Sequence, residues 1–130
     1  MEIRNSADLD QALGAGVKGG SLALVQLSSP LFNTRAKQIA EFTMEHRLPA
    51  ISMFRRFAES GGLMAYGPNQ VEYSKRPVVY IERILKGTNP ADLPIEQPSR
   101  FDLVINLKTA KTLGLTIPQS LLVRADEVIQ

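Results

Sequence analysis

The first half of the chain alternates between apolar residues at helical spacing and short, nearly continuous apolar runs. Three such runs occur at residues 22–27, 50–53 and 63–66. Runs of this kind are typical of strands that are covered on both faces, as in a parallel sheet. Helical spacing precedes each run, so the order is helix, strand, helix, strand, short helix, strand. This order predicts a parallel α/β sheet with right-handed crossovers.

The first helix is predicted to begin at Ser6, whose hydroxyl suits the N-cap position. The glycines that follow Leu13 are predicted to end it: Gly14, Gly16, Gly19 and Gly20. Residues 14–19 also fit the pattern G-x-G-x-x-G. A dinucleotide site needs a strand before that pattern and a helix after it, and here the order is reversed. We therefore predict a loop without a ligand.

The composition changes at the stretch from Gly61 to Asn69, where a short apolar run lies between a glycine pair and a Gly-Pro. Asn69 is predicted to cap a long helix whose buried side is marked by Tyr73, Tyr80, Ile81, Ile84 and Leu85. Pro77 allows two interpretations: a kink in one helix, or the first residue of a second helix. Proline-rich connectors, a strand at 101–106, a short helix at 109–113 and a helical turn after Pro118 complete the chain.

Length and composition indicate a single ordinary globular domain. The chain has 130 residues, of which 44% are hydrophobic and 22% charged. The net charge of +2 is too small to indicate nucleic-acid binding by itself. There is no cysteine, which excludes disulfides and thiolate chemistry, and no signal peptide is recognisable at the start of this chain.

No set of residues in the sequence suits catalysis, a metal or a cofactor. The chain has one histidine, His46, at a predicted helix end, where a surface or capping role is expected. Ser28 and Ser29 have no identifiable general base, and no pair of carboxylates is placed for acid–base chemistry. A helix-turn-helix in residues 109–125 is an alternative, but its second helix would be very short and acidic residues follow it.

The loops at the carboxyl ends of the predicted strands are the best candidate for a binding site, because open parallel sheets bind ligands there. These loops contribute aromatic rings, hydroxyls, amides and one cation. The candidate residues are Ser28, Ser29, Phe32, Asn33, Phe54, Arg55, Tyr66 and Asn69. This set suits a small polar organic ligand, with Arg55 as a candidate for binding a carboxylate. For each residue, a place in the core or on the solvated surface remains the alternative.

Several motifs resemble one known family. They occur in order at residues 46–51, 61–69, 84–87, 90–98, 101–111 and 124–129. Together they resemble the C-terminal part of ABC-transporter substrate-binding proteins of the uncharacterised-transport-system type, and the resemblance covers nearly the whole chain. It implies a parallel-sheet, Rossmann-like α/β lobe of the type I periplasmic-binding-protein fold, which is incomplete here.

The resemblance implies a non-enzymatic protein that closes two lobes around a small solute, such as an amino acid, and presents it to a membrane permease. The expected location is periplasmic or extracytoplasmic. A sensory ligand-binding domain of the same fold is the alternative, and the helix-turn-helix regulator is a further one. No cofactor and no nucleic acid are expected as partners.

Family members are more than twice as long, so the resemblance predicts that this chain is a fragment. Residues 1–67 would form most of the C-terminal ligand-binding lobe. Residues 68–130 would form the hinge crossing, a helix and C-terminal segments that pack partly on the other lobe. Without that lobe, the apolar stripe after Asn69 needs another partner, and a homodimer would supply one.

Overall fold

The computed structural model describes residue 3 and residues 5–130, apart from the side chain of Ser6. The elements are α1 Ser6–Lys18, β1 Leu24–Gln26, α2 Pro30–Thr34, α3 Ala36–Glu45, β2 Ala50–Ser52, α4 Arg55–Glu59, β3 Met64–Pro68, α5 Gln70–Leu85, a 3-10 turn Pro90–Asp92, β4 Phe101–Asn106, α6 Leu107–Thr112, α7 Gln119–Leu122 and β5 Glu127–Ile129. They form two compact units. The first unit comprises residues 1–67 and 102–130, and the second comprises residues 68–101.

One five-stranded sheet has the order β1-β2-β3-β4-β5. The first three strands are parallel, as predicted, with Leu24 beside Ala50 and Ile51 beside Met64. β4 runs antiparallel to β3. The Asn106 N–H at the end of β4 donates to the Leu63 carbonyl before β3, and the Asn69 N–H after β3 donates to the Arg100 carbonyl before β4. β5 is parallel to β4 and was not predicted from the sequence. The sheet is therefore mostly parallel, with a reversed pair at one side.

The core of the first unit lies in two clusters of buried side chains. The first contains Leu9, Ala36, Ile39, Ala40, Ala50 and Phe57, and the second contains Ala58, Ala65 and Val104. Ala36, Ile39, Ala40 and Thr43 form the buried side of α3 at helical spacing. The predicted single helix is divided at Arg35 into α2 and α3. His46 follows α3, as expected, and its ring stacks on Phe42 with centroids 4.1 Å apart.

α1 differs from its prediction at both ends. Asn5 is the N-cap, and its side-chain oxygen accepts the backbone N–H of Asp8 at 3.0 Å. The helix continues through two of the glycines that were predicted to end it and stops only after Lys18. Each glycine disfavours a helix by about 1 kcal/mol relative to alanine. Packing of Leu13 against the first core cluster provides a compensating contribution, because the helix must persist to present this side chain.

β1 is covered on one face rather than on two, which corrects the prediction for residues 22–27. Leu22 is 88% exposed, and Val25 and Leu27 are 67% and 68% exposed. Leu24 and Gln26 alternate with Val25 and Leu27 and point toward the covered face, where Leu24 packs against the core, whereas Leu22 lies before the strand. The apolar run therefore marks an edge strand with one open face.

The glycines around β3 permit close packing. Gly61 has φ +102°, a conformation that favours glycine after α4. A Cβ atom on Gly62 would overlap the ring of Phe57, and a Cβ atom on Gly67 would overlap the Met53 carbonyl oxygen. Gly62 thus lies flat against the core, and Gly67 lets β3 approach the loop after β2.

The second unit consists of α5 and the connector that follows it. Asn69 caps α5 as predicted, since its side-chain oxygen accepts the Glu72 N–H at 3.0 Å. α5 is one helix with Pro77 in its interior, so Pro77 does not begin a second helix. Arg76 holds the connector through an ion pair with Glu96 at 2.6 Å. The predicted buried stripe is not buried: none of the residues of α5 is.

Within the first unit, polar contacts connect the end of β4 and the start of α6 to the segment around α4. Asn106 donates from its side chain to the Ala58 carbonyl at 3.0 Å, and Thr109 donates from its hydroxyl to the Gly61 carbonyl at 2.8 Å. α6 has six residues and α7 has four. A four-residue helix is too short to serve as a recognition helix, which disfavours the helix-turn-helix alternative. In the part of the chain that the structure describes, no helix has the length and apolar character needed to cross a membrane.

Candidate functional site

Most of the predicted site residues lie along one edge of the sheet, which we call the loop edge. It is formed by the loops after β1 and β2, by the end of β3 in the first unit, and by the start of β5. Parallel strands bring their carboxyl ends to one side, and the reversed β5 begins on that same side. The sequence predicted the contributions of the loops after β1 and β2 and of the end of β3, but it did not predict the contribution of β5.

The loop after β1 brings hydroxyl groups to the loop edge. Ser28 is exposed, and Ser29 occupies the N-cap position of α2 without a side-chain hydrogen bond to that helix. Phe32 packs against the first core cluster, so a core role competes with a binding role for this ring. Asn33 is half-buried on α2. Ser28 is therefore the exposed polar group of this loop, and Ser29, like Asn33, is half-buried.

The loop after β2 is shaped by a buried hydroxyl. Ser52 is 2% exposed, and its Oγ accepts the backbone N–H of Phe54 at 3.1 Å. This bond turns the chain so that Phe54 occupies the N-cap position of α4 with a half-buried ring. Ser52 was assigned only to a strand in the sequence, because a hydroxyl inside a short apolar run gives no local sign of this role.

Arg55 is held by two carboxylates. Its Nε donates to Glu59 Oε1 at 2.7 Å, and its terminal NH2 group donates to Glu127 Oε2. These hydrogen bonds, with that to Glu59 as the largest cause, raise the pKa of Arg55 above its ordinary value. The ion pair with Glu127 links α4 to the start of β5. A ligand carboxylate would have to displace one of these partners, which changes the simple role predicted for Arg55.

Replacing Arg55 with methionine is expected to lower the free energy of unfolding by about 1 kcal/mol, because the Arg55 side chain is 45% exposed and water screens its two ion pairs. The difference between wild type and variant should shrink as salt is raised. Urea denaturation at low and high ionic strength measures it. Lys37→Met is the matched control, since Lys37 makes one exposed pair with Glu41 at 3.8 Å. An Arg55 effect no larger than that of this control would contradict the linking role.

Tyr66 lies in β3 just beyond the part of this strand that pairs with β2. The last register pair joins Ser52 to Ala65, so Tyr66 extends past the end of β2. The side chain is 52% exposed, and the close approach of Gly67 to Met53 brings this part of β3 against the loop that carries Phe54. Tyr66 can therefore present an accessible aromatic face at the loop edge.

Asn69 belongs to the second unit, where its side-chain oxygen caps α5. The structure thus places Ser28, Ser29, Phe54, Arg55 and Tyr66 along the loop edge of the first unit, and it places Phe32 against the core. Glu59 and Glu127 also lie at the loop edge, and they were not among the site residues predicted from the sequence. Hydroxyls, aromatic rings and a cation paired with carboxylates can bind a small polar molecule by hydrogen bonds and stacking.

Solved structures resemble this chain over nearly its full length. A conserved domain protein from Vibrio cholerae O1 biovar El Tor matches with 24% identity and a TM-score of 0.86, covering 94% of this chain and 41% of that one. An ABC domain from Streptococcus pneumonia, solved in complex with L-Trp, matches with 26% identity and a TM-score of 0.80, covering 92% and 42%. This chain therefore spans about two-fifths of the length of these structures.

A third match supports the fold alone. The ligand-free, open structure of CD0873, a substrate-binding protein with adhesive properties from Clostridium difficile, has 21% identity and a TM-score of 0.66, with 98% of this chain and 42% of that chain covered. The predicted α/β fold of a periplasmic-binding-protein lobe is confirmed, and it represents part of the longer fold.

The sequence itself identifies the family. No curated protein matches it. The family model described as ABC transporter substrate binding protein matches residues 1–129, which confirms the resemblance found in the motifs. The chain belongs to the ABC transporter substrate-binding protein family.

Proposed function

We propose that the loop edge forms one wall of a solute-binding cleft, and that the complete protein delivers the solute to the permease of an ABC importer. The observation that carries the proposal is the loop edge itself, where accessible hydroxyls, two aromatic rings and a paired cation occur together on one side of the sheet. In this role the protein binds without catalysing a reaction and works outside the cytoplasm.

The chemistry of the loop edge favours a solute that carries both charges, such as an amino acid. Arg55 supplies a cation, while Glu59 and Glu127 supply carboxylates. A zwitterion can exchange partners with these ion pairs without leaving a net buried charge, which limits the desolvation cost. Phe54 and Tyr66 offer apolar surface for a side chain. The Streptococcus relative was solved with L-Trp, a ligand of this class.

We further propose that the second unit packs against the other lobe of the complete protein. α5 exposes a set of large apolar side chains: Val71, Tyr73, Val78, Val79, Ile81, Ile84 and Leu85. A surface of this kind on a soluble protein commonly marks an interface. In this arrangement Tyr66 to Asn69 form a crossing between lobes, as the domain prediction for residues 68–130 requires.

Titration of the isotopically labelled chain with L-tryptophan, followed by amide NMR, tests the position of the site. We expect dissociation constants in the millimolar range, because one open wall buries far less of a ligand than a closed cleft does. The amide resonances that shift should be those of residues 28–29, 53–55 and 66–67. Tyr66→Ala should raise the dissociation constant for L-tryptophan several-fold, because it removes the accessible aromatic face.

Tyr73→Ala is the matched control, because Tyr73 is a similarly exposed tyrosine on α5 in the second unit. Tyr73→Ala should leave the dissociation constant for L-tryptophan unchanged. Amide shifts confined to the second unit, or an equal rise in the dissociation constant in the two variants, would argue against the loop edge as the binding wall.

A further inference from the structure

The ring of Phe54 lies at the loop edge without support from the core clusters. It is half-buried, yet among the described residues it packs against neither cluster and stacks on no other ring. Phe32, by contrast, packs against the first cluster. A ring that the core does not hold keeps its place only if its backbone is fixed, because several rotamers are open to it otherwise. The aromatic surface that Phe54 offers therefore depends on what holds residues 53–55.

Three contacts fix this backbone to buried groups. Ser52 Oγ accepts the Phe54 N–H at 3.1 Å, and the Phe54 carbonyl accepts the Phe57 N–H at 2.9 Å. Between them, the Met53 carbonyl oxygen lies so close to Gly67 that a Cβ atom would overlap it. Ser52 is 2% exposed and Phe57 is completely buried. The peptide groups on both sides of Phe54 are thus attached to close-packed parts of the first unit.

Ser52 supplies the only side-chain atom among these three contacts. It lies inside the sheet, with Gln26 of β1 and Ala65 of β3 as its register partners, so its hydroxyl starts from a rigid position. A buried hydroxyl costs free energy unless it is hydrogen-bonded, and alanine would fill the same strand position without that cost. The bond to the Phe54 N–H is therefore what the hydroxyl adds at this position.

We propose that Ser52 is a positioning residue that sets the preference of the loop edge for aromatic over aliphatic solutes, an inference that rests on the function proposed above. Ser52 is too deeply buried to touch the solute. It acts by holding the Phe54 ring where a flat solute side chain can stack on it. A ring that is fixed before binding need not be ordered in the complex, which favours stacking solutes selectively.

NMR titration of Ser52→Ala with two solutes tests this role. L-tryptophan can stack on Phe54, whereas L-alanine offers a single methyl group. We expect the variant to raise the dissociation constant for L-tryptophan about fivefold and to change that for L-alanine less than about twofold. Equal changes for the two solutes, or no change for L-tryptophan, would overturn the proposal, because Ser52 would then support the fold without placing the ring.

Thr43→Val is the matched control. Thr43 is also 2% exposed, and its hydroxyl donates to the Ala40 carbonyl at 2.8 Å in α3 rather than at the loop edge. This variant loses a buried hydrogen bond and should leave both dissociation constants unchanged. A rise in the L-tryptophan constant as large as that in Ser52→Ala would show that lost stability, and not the position of Phe54, explains the effect.

Amide hydrogen exchange tests the positioning role without any solute. The Phe54 amide should exchange at least about tenfold faster in Ser52→Ala than in the wild type, and at the wild-type rate in Thr43→Val. An unchanged rate in Ser52→Ala would overturn the role of the hydroxyl even where the loop edge binds L-tryptophan. A wild type whose amides at residues 28–29, 53–55 and 66–67 do not shift with L-tryptophan would instead refute the proposed function, and this inference with it.

Discussion

Replacing Phe57 with alanine is expected to lower the free energy of unfolding by about 4 kcal/mol. Phe57 is completely buried, is the largest fully buried side chain among the described residues, and joins α4 to the first core cluster. Its removal leaves a cavity that α3 and β2 cannot fill without moving. Denaturant titration followed by circular dichroism measures the loss. A change below about 1.5 kcal/mol would show that the ring does not organise this core.

Gly62 provides a sharper test of the same packing. In the wild type, Gly62→Ala should be destabilising because its methyl group would overlap the Phe57 ring. In the Phe57→Ala background that overlap disappears, so the cost of Gly62→Ala should largely vanish. A double-mutant cycle measures this coupling. Additive effects of the two substitutions would mean that the glycine and the ring do not pack as described.

Gly67→Ala is the second substitution with a large expected effect, a loss of about 3 kcal/mol. Its methyl group would overlap the Met53 carbonyl oxygen, a backbone atom that cannot rotate away. Either β3 or the loop carrying Phe54 must then move, so the loop edge should change as well. Thermal denaturation would give the stability, and amide NMR would show whether the shifts concentrate at residues 52–55.

Gly14→Ala is the control for this experiment. A Cβ atom on Gly14 meets no atom within 4 Å, and the residue lies inside α1. Alanine there should leave stability unchanged or raise it by up to about 1 kcal/mol. Equal losses from the two alanine substitutions would contradict the account of Gly67 as a close-packing residue.

The parallel half of the sheet could be predicted because its strands leave a local signature. Ala50 to Ser52 and the run before Tyr66 are short apolar segments between turn residues, and helices with periodic apolar stripes separate them. The family could also be identified at this stage, because its motifs are segments of the sequence. The sequence pattern did not predict β5, because contacts with a distant segment determine this strand. β5 has three residues and forms because Val104 to Asn106 offer it an edge.

The same distinction applies to the site. The positions of Ser28, Ser29 and Tyr66 follow from where the parallel strands end, which the sequence indicates. The distant partner of Arg55 could not be predicted in this way, because Glu127 is 72 residues away and reaches Arg55 only through the reversed strands. Likewise, the apolar run at β1 could not reveal its exposure, because burial depends on which neighbours cover each face.

Calorimetric titration of this 130-residue chain with a panel of amino acids tests the central claim, that the chain carries one wall of a solute cleft. We predict no binding tighter than the millimolar range for any amino acid, since the second wall contributes much of the buried surface in a closed cleft. Micromolar binding by the chain alone would contradict this account, because the site would then be complete within these residues.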